Sequence, residues 1–274
     1  MTLILLAACC APGLSAAMGG AWLIARRPGR SGWIDAIWSF AVGVASVAAA
    51  LAPVGHAPDL RQRLVAGMVA LWSLRLGGHI ALRSAHGGDD PRYVALREAW
   101  GGSFSVRLLG FLQIQAAAGW LLAICVMMAA RAPAPAYRLG DLAWSDYAGA
   151  GLLIAAVIGE GLADAQLKAF RAHPANARLV CDTGLWGLSR HPNYLFEWLG
   201  WVAYAVIAMG PSAGALPGWI AWSGPVFMYW LLVHVSGIPP LEAHMLRSRG
   251  EAFRAVQRRV PAFWPIPRAS KELP

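Results

Sequence analysis

Three polar or aromatic side chains recur at every fourth position along an apolar segment in the last third of the chain. They are Asn193, Glu197 and Trp201, and Pro192 before them suits the first turn of a helix, where its missing N–H costs nothing. A spacing of four places all three on one helix face. An amide, a carboxylate and an indole on one face indicate a ligand site. The alternative is a helix cap followed by an aromatic anchor at a membrane surface.

A second helical face carries charges further upstream. Glu160, Asp164, Lys168 and Arg171 follow one another at spacings of four, four and three. Carboxylates accept hydrogen bonds from ribose hydroxyls or an adenine amino group, and Lys and Arg bind phosphate. The same spacing is also typical of an ion-pair ladder at a helix end, worth about 0.2–0.5 kcal/mol per pair. Spacing alone leaves both interpretations open.

The elements that position these faces are predicted to cross a membrane. Of 274 residues, 58% are hydrophobic and 14% are charged, whereas a soluble domain carries about 25% charged residues. Seven apolar runs are long enough to span a bilayer as helices. We therefore predict an all-α polytopic membrane protein with one domain over residues 1–274. The runs cover residues 2–25, 33–53, 62–82, 106–130, 145–165, 193–212 and 216–240.

The basic residues give these runs an orientation. Of 23 Lys and Arg, 18 fall in segments on one side of the runs, four on the other, and Arg75 lies inside a run. Because cytoplasmic loops carry the excess of positive charge, the N-terminus is predicted outside and the C-terminus in the cytoplasm. The net charge of +9 thus indicates membrane topology and no nucleic-acid partner. The four cysteines show no metal-ligand spacing, so we expect no metal site.

Ionisable residues within or beside the runs are concentrated at one side. At a rise of 1.5 Å per residue, nearly all lie within about 15 Å of the predicted cytoplasmic face, and we expect none in the outer half. Charges at such depths usually face a bundle interior or a water-filled cavity. The pattern predicts a cavity open to the cytoplasm and argues against a channel; the alternative is that each residue simply ends a helix. The residues are Asp35, Arg75, His79, Glu160, Asp164, Glu197, His234 and Glu242.

Several motifs resemble those of the steroid 5α-reductase family. Residues 184–201 contain G-L-W, S-R-H-P-N-Y and then a glutamate and a tryptophan, spaced as in the C-terminal signature of that family. The run with Glu160, Asp164, Gln166 and Phe170 is similar to the family segment that lines a nicotinamide-cofactor pocket. Similar motifs also occur at residues 35–38, 74–79, 90–93 and 236–242.

The resemblance implies that NADPH reduces a conjugated enone lipid, for example at the C4–C5 double bond of a Δ4-3-oxo steroid. It implies a monomer in a bacterial inner membrane, with the active site facing the cytoplasm. Helices within residues 1–105 would bind substrate, and residues 106–274 would bind the cofactor. Arg171 is expected on the 2′-phosphate, with Lys168 and Arg190 behind it. The full cofactor set is Glu160, Asp164, Lys168, Arg171, Arg190, His191, Asn193, Tyr194, Glu197, Trp201 and Glu242.

Enone reduction also needs a hydrogen-bond donor for the substrate carbonyl, which becomes an enolate when hydride adds to the β-carbon. A preorganised donor of this kind is worth about 3–4 kcal/mol. A carboxyl group kept neutral by an apolar site can fill the role. We expect Asp35 to be this catalytic donor, with His79 second and Tyr93 third.

Two other function classes stay open. An S-adenosylmethionine-dependent membrane methyltransferase, acting on isoprenylcysteine or phospholipid, also carries R-H-P-N-Y, the glutamate at 242 and a basic C-terminus. It differs in lacking the run over residues 160–171 and in having fewer spans. The other class is a lipid-binding protein or transporter without catalytic activity.

Overall fold

The computed structural model describes residues 2–54, 59–86, 88–132, 142–209 and 216–266. These residues are largely helical and contain no strand, which confirms the predicted all-α class. Short 3₁₀ turns lie at Gly101–Ser103 and Pro174–Asn176. The helices are α1 (Leu3–Ala25), α2 (Trp33–Leu51), α3 (Leu60–His86), α4 (Pro91–Trp100), α5 (Phe104–Ala130), α6 (Trp144–Ala172), α7 (Leu185–Leu188), α8 (Pro192–Met209), α9 (Leu216–Ala221), α10 (Ser223–Trp230) and α11 (Ile238–Arg259).

Six helical segments of the described residues are long and apolar enough to cross a membrane. This supports an integral membrane protein. The predicted run at 193–212 corresponds to α8, which is not among the six, and Asn193 and Glu197 make its first turns polar. Its last residues, 210–212, lie outside the described residues. Seven spans and the orientation of the termini therefore stay predictions.

The last predicted run, residues 216–240, is not one regular helix. It contains α9, α10 and a π-helical turn at Leu231–Val235, and α11 begins at its end. The backbone N–H of Ser236 donates to the carbonyl of Leu231 at 2.8 Å. Gly237 is needed here, because a Cβ atom at this position would lie 2.4 Å from the carbonyl oxygen of Leu232. A change of backbone direction thus precedes α11.

The chain divides into two compact units. The first contains Met1–Ala150 and Ala203–Gly224, and the second contains Gly151–Val202 and Pro225–Pro274. The first unit thus continues beyond residue 105, where the predicted substrate-side helices end. The division into substrate-side and cofactor-side helices within a single domain stays a prediction.

Helices α1, α2, α3 and α5 form the main packing of the first unit. Helix α2 contacts α3 most extensively, and α1 contacts both α2 and α5. A Cβ atom on Gly43 would lie 2.1 Å from Ser73 Oγ, so only glycine allows this approach of α2 to α3. Ser73 Oγ also donates to the carbonyl of Ser39 at 3.0 Å. Small residues are the usual means of bringing transmembrane helices close together.

A buried charge in the first turn of α6 contradicts the expected one-sided distribution of ionisable residues. Asp146 lies there, at the opposite end of the helix from Glu160, and its side chain is fully buried. Arg61 binds both of its oxygens, with Nε 2.8 Å from Oδ1 and Nη2 3.0 Å from Oδ2. The backbone N–H of Ala143 donates to Oδ2 at 2.8 Å. The expectation that ionisable residues occur at only one end of the apolar runs is therefore wrong. A buried carboxylate is tolerated at the other end of α6 because a guanidinium and a backbone N–H satisfy it.

Candidate functional site

The first unit brings Asp35 and Tyr93 into direct contact. The Tyr93 hydroxyl donates to Asp35 Oδ1 at 3.2 Å, and Gln115 Nε2 donates to the same hydroxyl at 3.3 Å. Arg92 forms a salt bridge with the other oxygen of Asp35. A carboxylate in this position accepts hydrogen bonds and donates none. The expected role of Asp35 as a neutral donor does not fit this geometry. His79 lies on α3 with an exposed side chain.

Two aspartates hold the start of α4 next to α2. Asp90 caps α4 and accepts from the backbone N–H, Nε and Nη2 of Arg92, each at 2.9 Å. Asp89 accepts from the N–H of Gly29 and from the N–H and hydroxyl of Ser31, at 3.1, 3.0 and 2.7 Å. Burial alone would raise the pKa of both aspartates, but these hydrogen bonds and the nearby arginines lower it. The contacts fasten the loop before α2 to the loop before α4.

In the second unit, three predicted cofactor residues bind one another. Glu242 Oε1 accepts from Arg190 Nε at 2.8 Å and lies 3.0 Å from His191 Nε2. Glu242 Oε2 accepts from Gln257 Nε2 at 2.8 Å. We call these four residues the Glu242 hub. The Arg190 and His191 side chains are only 8% and 4% exposed.

The hub also fastens the C-terminal segment. The backbone N–H of Arg190 donates to the carbonyl of Pro261 at 2.9 Å, and its Nη1 donates to the carbonyl of Val260. The hydroxyl of Ser189 donates to the carbonyl of Ala262 at 3.1 Å. Contacts within the protein therefore engage much of the Arg190 guanidinium. In this structure Arg190 anchors a segment of chain.

His191 presents one ring nitrogen as a buried acceptor. Its pKa is lowered, because burial and the charge of Arg190 outweigh the opposing effect of Glu242. With Nε2 carrying the proton toward Glu242, the tautomer assigned from this hydrogen bond leaves Nδ1 as an acceptor. Nδ1 is buried and has no hydrogen-bond partner among the described residues. The Tyr194 ring stacks on the imidazole, with the centroids 5.5 Å apart. A buried acceptor of this kind suits a ligand hydroxyl or amide N–H.

The predicted faces of α6 and α8 are present in the structure. Trp201 Nε1 donates to Glu197 Oε1 at 2.9 Å, so this pair shares the face that its spacing predicts. Glu160 is also buried. Exposure increases along the face of α6, where Asp164 is half-buried and Lys168 and Arg171 are exposed. Asn193 on α8 is half-buried.

The G-L-W motif packs against α6. Gln166 Oε1 accepts from the backbone N–H of Leu185 at 3.0 Å, and Trp186 Nε1 donates to the carbonyl of Ala163 at 2.9 Å. Gly184 has a φ of +61°, and a Cβ atom there would lie 2.7 Å from Gln166 Oε1. Gln166 and the motif glycine thus hold the loop before α8 in place.

Sequence reasoning missed three residues of these clusters. Arg92 contacts Asp35 and Gln115 contacts Tyr93, which are two of the three ranked catalytic candidates, and Gln257 belongs to the Glu242 hub. The motif at residues 90–93 contained a signal for Arg92, although only Tyr93 was predicted from it. Gln115 and Gln257 belong to none of the motifs, so no signal in the sequence indicated them.

Comparison with known families gives one match. The family model described as "Protein of unknown function (DUF1295)" matches residues 21–260. The chain belongs to the DUF1295 family. No curated protein and no solved structure matches this DUF1295 protein. The clusters above therefore have to be interpreted from their own chemistry.

Proposed function

We propose that this DUF1295 protein is an NADPH-dependent reductase of conjugated enone lipids, with Δ4-3-oxo steroids as model substrates. The observation that carries the proposal is the polar cluster around Tyr93. This phenol is 3% exposed and lies among a carboxylate, an amide and a guanidinium. The proposal includes a cytoplasm-facing site in a bacterial inner membrane and a monomeric protein.

The cluster suits the charge that develops during enone reduction. NADPH, when bound, supplies the hydride that adds to the β-carbon of the substrate. The carbonyl oxygen then gains negative charge. In our proposal the Tyr93 hydroxyl, which donates to Asp35 Oδ1 in this structure, turns its single hydrogen to the substrate oxygen. Gln115 Nε2 donates to the phenol oxygen and keeps it oriented, and Asp35 holds Arg92, whose guanidinium adds positive charge. The α-carbon finally takes a proton from water, which gives the saturated ketone. Asp35 becomes a positioning residue in this scheme.

The acceptors of the second unit suit the sugar and amide groups of the cofactor. We assign Glu160, Asp164, Asn193 and Glu197 to hold these groups. Nδ1 of His191 supports this assignment, because a neutral buried acceptor needs an N–H or O–H donor and the cofactor carries both. Trp201 acts through its hydrogen bond to Glu197.

Replacement of Tyr93 by phenylalanine tests the proposal. Loss of one preorganised donor should lower kcat for a Δ4-3-oxo steroid by about 10²–10³-fold. NADPH affinity should stay unchanged, since the cofactor residues are assigned to the second unit. Tyr147→Phe, which changes a 53% exposed tyrosine, is the matched control and should retain full activity. Reduction at the wild-type rate by Tyr93→Phe would remove Tyr93 from the mechanism.

Binding of the two cofactors tests the methyltransferase alternative. The Glu242 hub is the observation that supports this alternative, because the arginine, histidine and glutamate of the hub also occur in those methyltransferases. Detergent-purified protein should bind NADPH and not S-adenosylmethionine in parallel titrations. The reverse result would exclude the reductase and favour methyl transfer.

A further inference from the structure

A cavity of about 210 Å³ lies in the second unit, between the end of α6, the loop at residues 176–181 and α11. Apolar side chains such as Phe170 and Met245 line much of it. Arg171 and Arg249 supply the charge, and no carboxylate occurs among the described residues of the lining. Pockets that enclose a drug-sized ligand measure about 300–1,000 Å³. This cavity therefore suits one end of a larger molecule, and its charge suits an anion.

The guanidinium of Arg249 is held in place by its neighbours. Its Nε donates to the carbonyl of Leu179 at 3.0 Å, and its Nη1 lies 3.8 Å from Met245 Sδ and 3.4 Å from Ser248 Oγ. Nη2 makes no hydrogen bond to any described residue. An oriented guanidinium that keeps a donor available can bind phosphate without much further loss of side-chain entropy.

We propose that this cavity binds the adenosine end of NADPH, with Arg171 and Arg249 on its 2′-phosphate. Arg249 would then determine, together with Arg171, the preference for NADPH over NADH. The inference rests on the proposed function. The apolar lining, with the Phe170 ring, suits an adenine base, and the two guanidinium groups suit the phosphate. Lys168 and Arg190, expected behind Arg171 from the sequence, do not line the cavity, and Arg190 belongs to the Glu242 hub.

Two nucleotide fragments test the assignment without catalysis. The full chain in detergent is titrated with adenosine 2′,5′-bisphosphate and with adenosine 5′-monophosphate. The wild type should bind the bisphosphate more tightly. Arg249→Gln should weaken bisphosphate binding by about 10- to 100-fold, the effect of one charge-assisted hydrogen bond, and should change binding of the monophosphate little. Arg249→Lys, which keeps the charge, should fall between the two.

Arg254→Gln is the matched control. Arg254 lies on α11 beyond a kink at Gly250, is 58% exposed and pairs with Glu251, so its replacement should leave both affinities unchanged. Equal binding of the two fragments by the wild type would overturn the proposal. So would equal losses in Arg249→Gln and Arg254→Gln, which would indicate unspecific attraction. If the preference for the bisphosphate depended on Arg249 but the protein reduced no enone, the nucleotide assignment of the cavity would hold and the proposed reaction would be refuted. If the protein reduced an enone but Arg249→Gln bound both fragments like the wild type, the reaction would hold and the cavity assignment would be refuted.

Discussion

Replacement of Glu242 by glutamine should destabilise the protein through the Glu242 hub. The carboxylate accepts from Arg190, His191 and Gln257. Glutamine keeps the size of the side chain but removes its charge, and the Arg190 guanidinium then loses its counter-ion. The C-terminal segment, held by Arg190 at Pro261, should loosen as a consequence.

The size of this effect follows from the burial of the partners. Removal of one partner of a fully buried ion pair costs about 3–5 kcal/mol. The Glu242 side chain is 14% exposed, and the amide still accepts a hydrogen bond, so we expect a smaller loss of about 2–3 kcal/mol. At about 2–4 °C per kcal/mol for a chain of this size class, the melting temperature should fall by about 4–12 °C.

The assay is thermal unfolding of the detergent-purified protein, with NADPH binding measured on the same samples. Glu251→Gln is the control, because Glu251 is 73% exposed on the part of α11 that follows the Gly250 kink and its pair with Arg254 should contribute little. Its melting temperature should match the wild type. If Glu242→Gln melted like the wild type and yet lost NADPH affinity, the hub would be a ligand contact and the reasoning would be refuted.

Three further predictions use the same unfolding assay. Arg61→Ala should cost about 3–5 kcal/mol, because it leaves the buried carboxylate of Asp146 without its guanidinium; wild-type stability would show that the pair contributes nothing. Burial lowers the pKa of His191 below 6.5, so the unfolded chain binds more protons and stability should fall as the pH drops below about 6.5. His191→Gln should reduce the loss of stability below about pH 6.5. If the variant lost as much stability as the wild type, the loss would come from other groups. Gly43→Ala should cost about 1–3 kcal/mol by overpacking, whereas Gly13→Ala, with no atom within 4 Å of the new methyl group, should not destabilise; equal melting of the two would contradict the close α2–α3 contact.

Apolar length predicted the helices well where each one is continuous. The run at 33–53 became Trp33–Leu51, and the run at 106–130 became Phe104–Ala130. It failed at 216–240, where the π-helical turn and Gly237 redirect the backbone. Hydropathy measures the apolar character of side chains and does not register a change in hydrogen-bond pattern. Helix ends and breaks therefore required the structure.

Local spacing predicted site contacts only where both partners share a helix. Glu197 and Trp201 are four residues apart on α8, and their hydrogen bond follows from that spacing. Arg92 binds Asp35 across 57 residues, and Arg249 reaches Leu179 across 70. Such contacts depend on tertiary packing, which one sequence does not specify. For the same reason, the salt bridge that makes Asp35 an acceptor could not be predicted.

The central claim is hydride transfer to an enone, and isotopic labelling tests it most directly. The purified protein is incubated with a Δ4-3-oxo steroid and NADPH that carries deuterium at both C4 positions of the nicotinamide ring. Mass spectrometry and NMR then locate the label. The proposed reaction predicts one deuterium at C5 of the saturated 3-oxo product, with formation slowed strongly by Tyr93→Phe. An unchanged steroid together with methyl transfer from S-adenosylmethionine, or a saturated product without deuterium at C5, would contradict it.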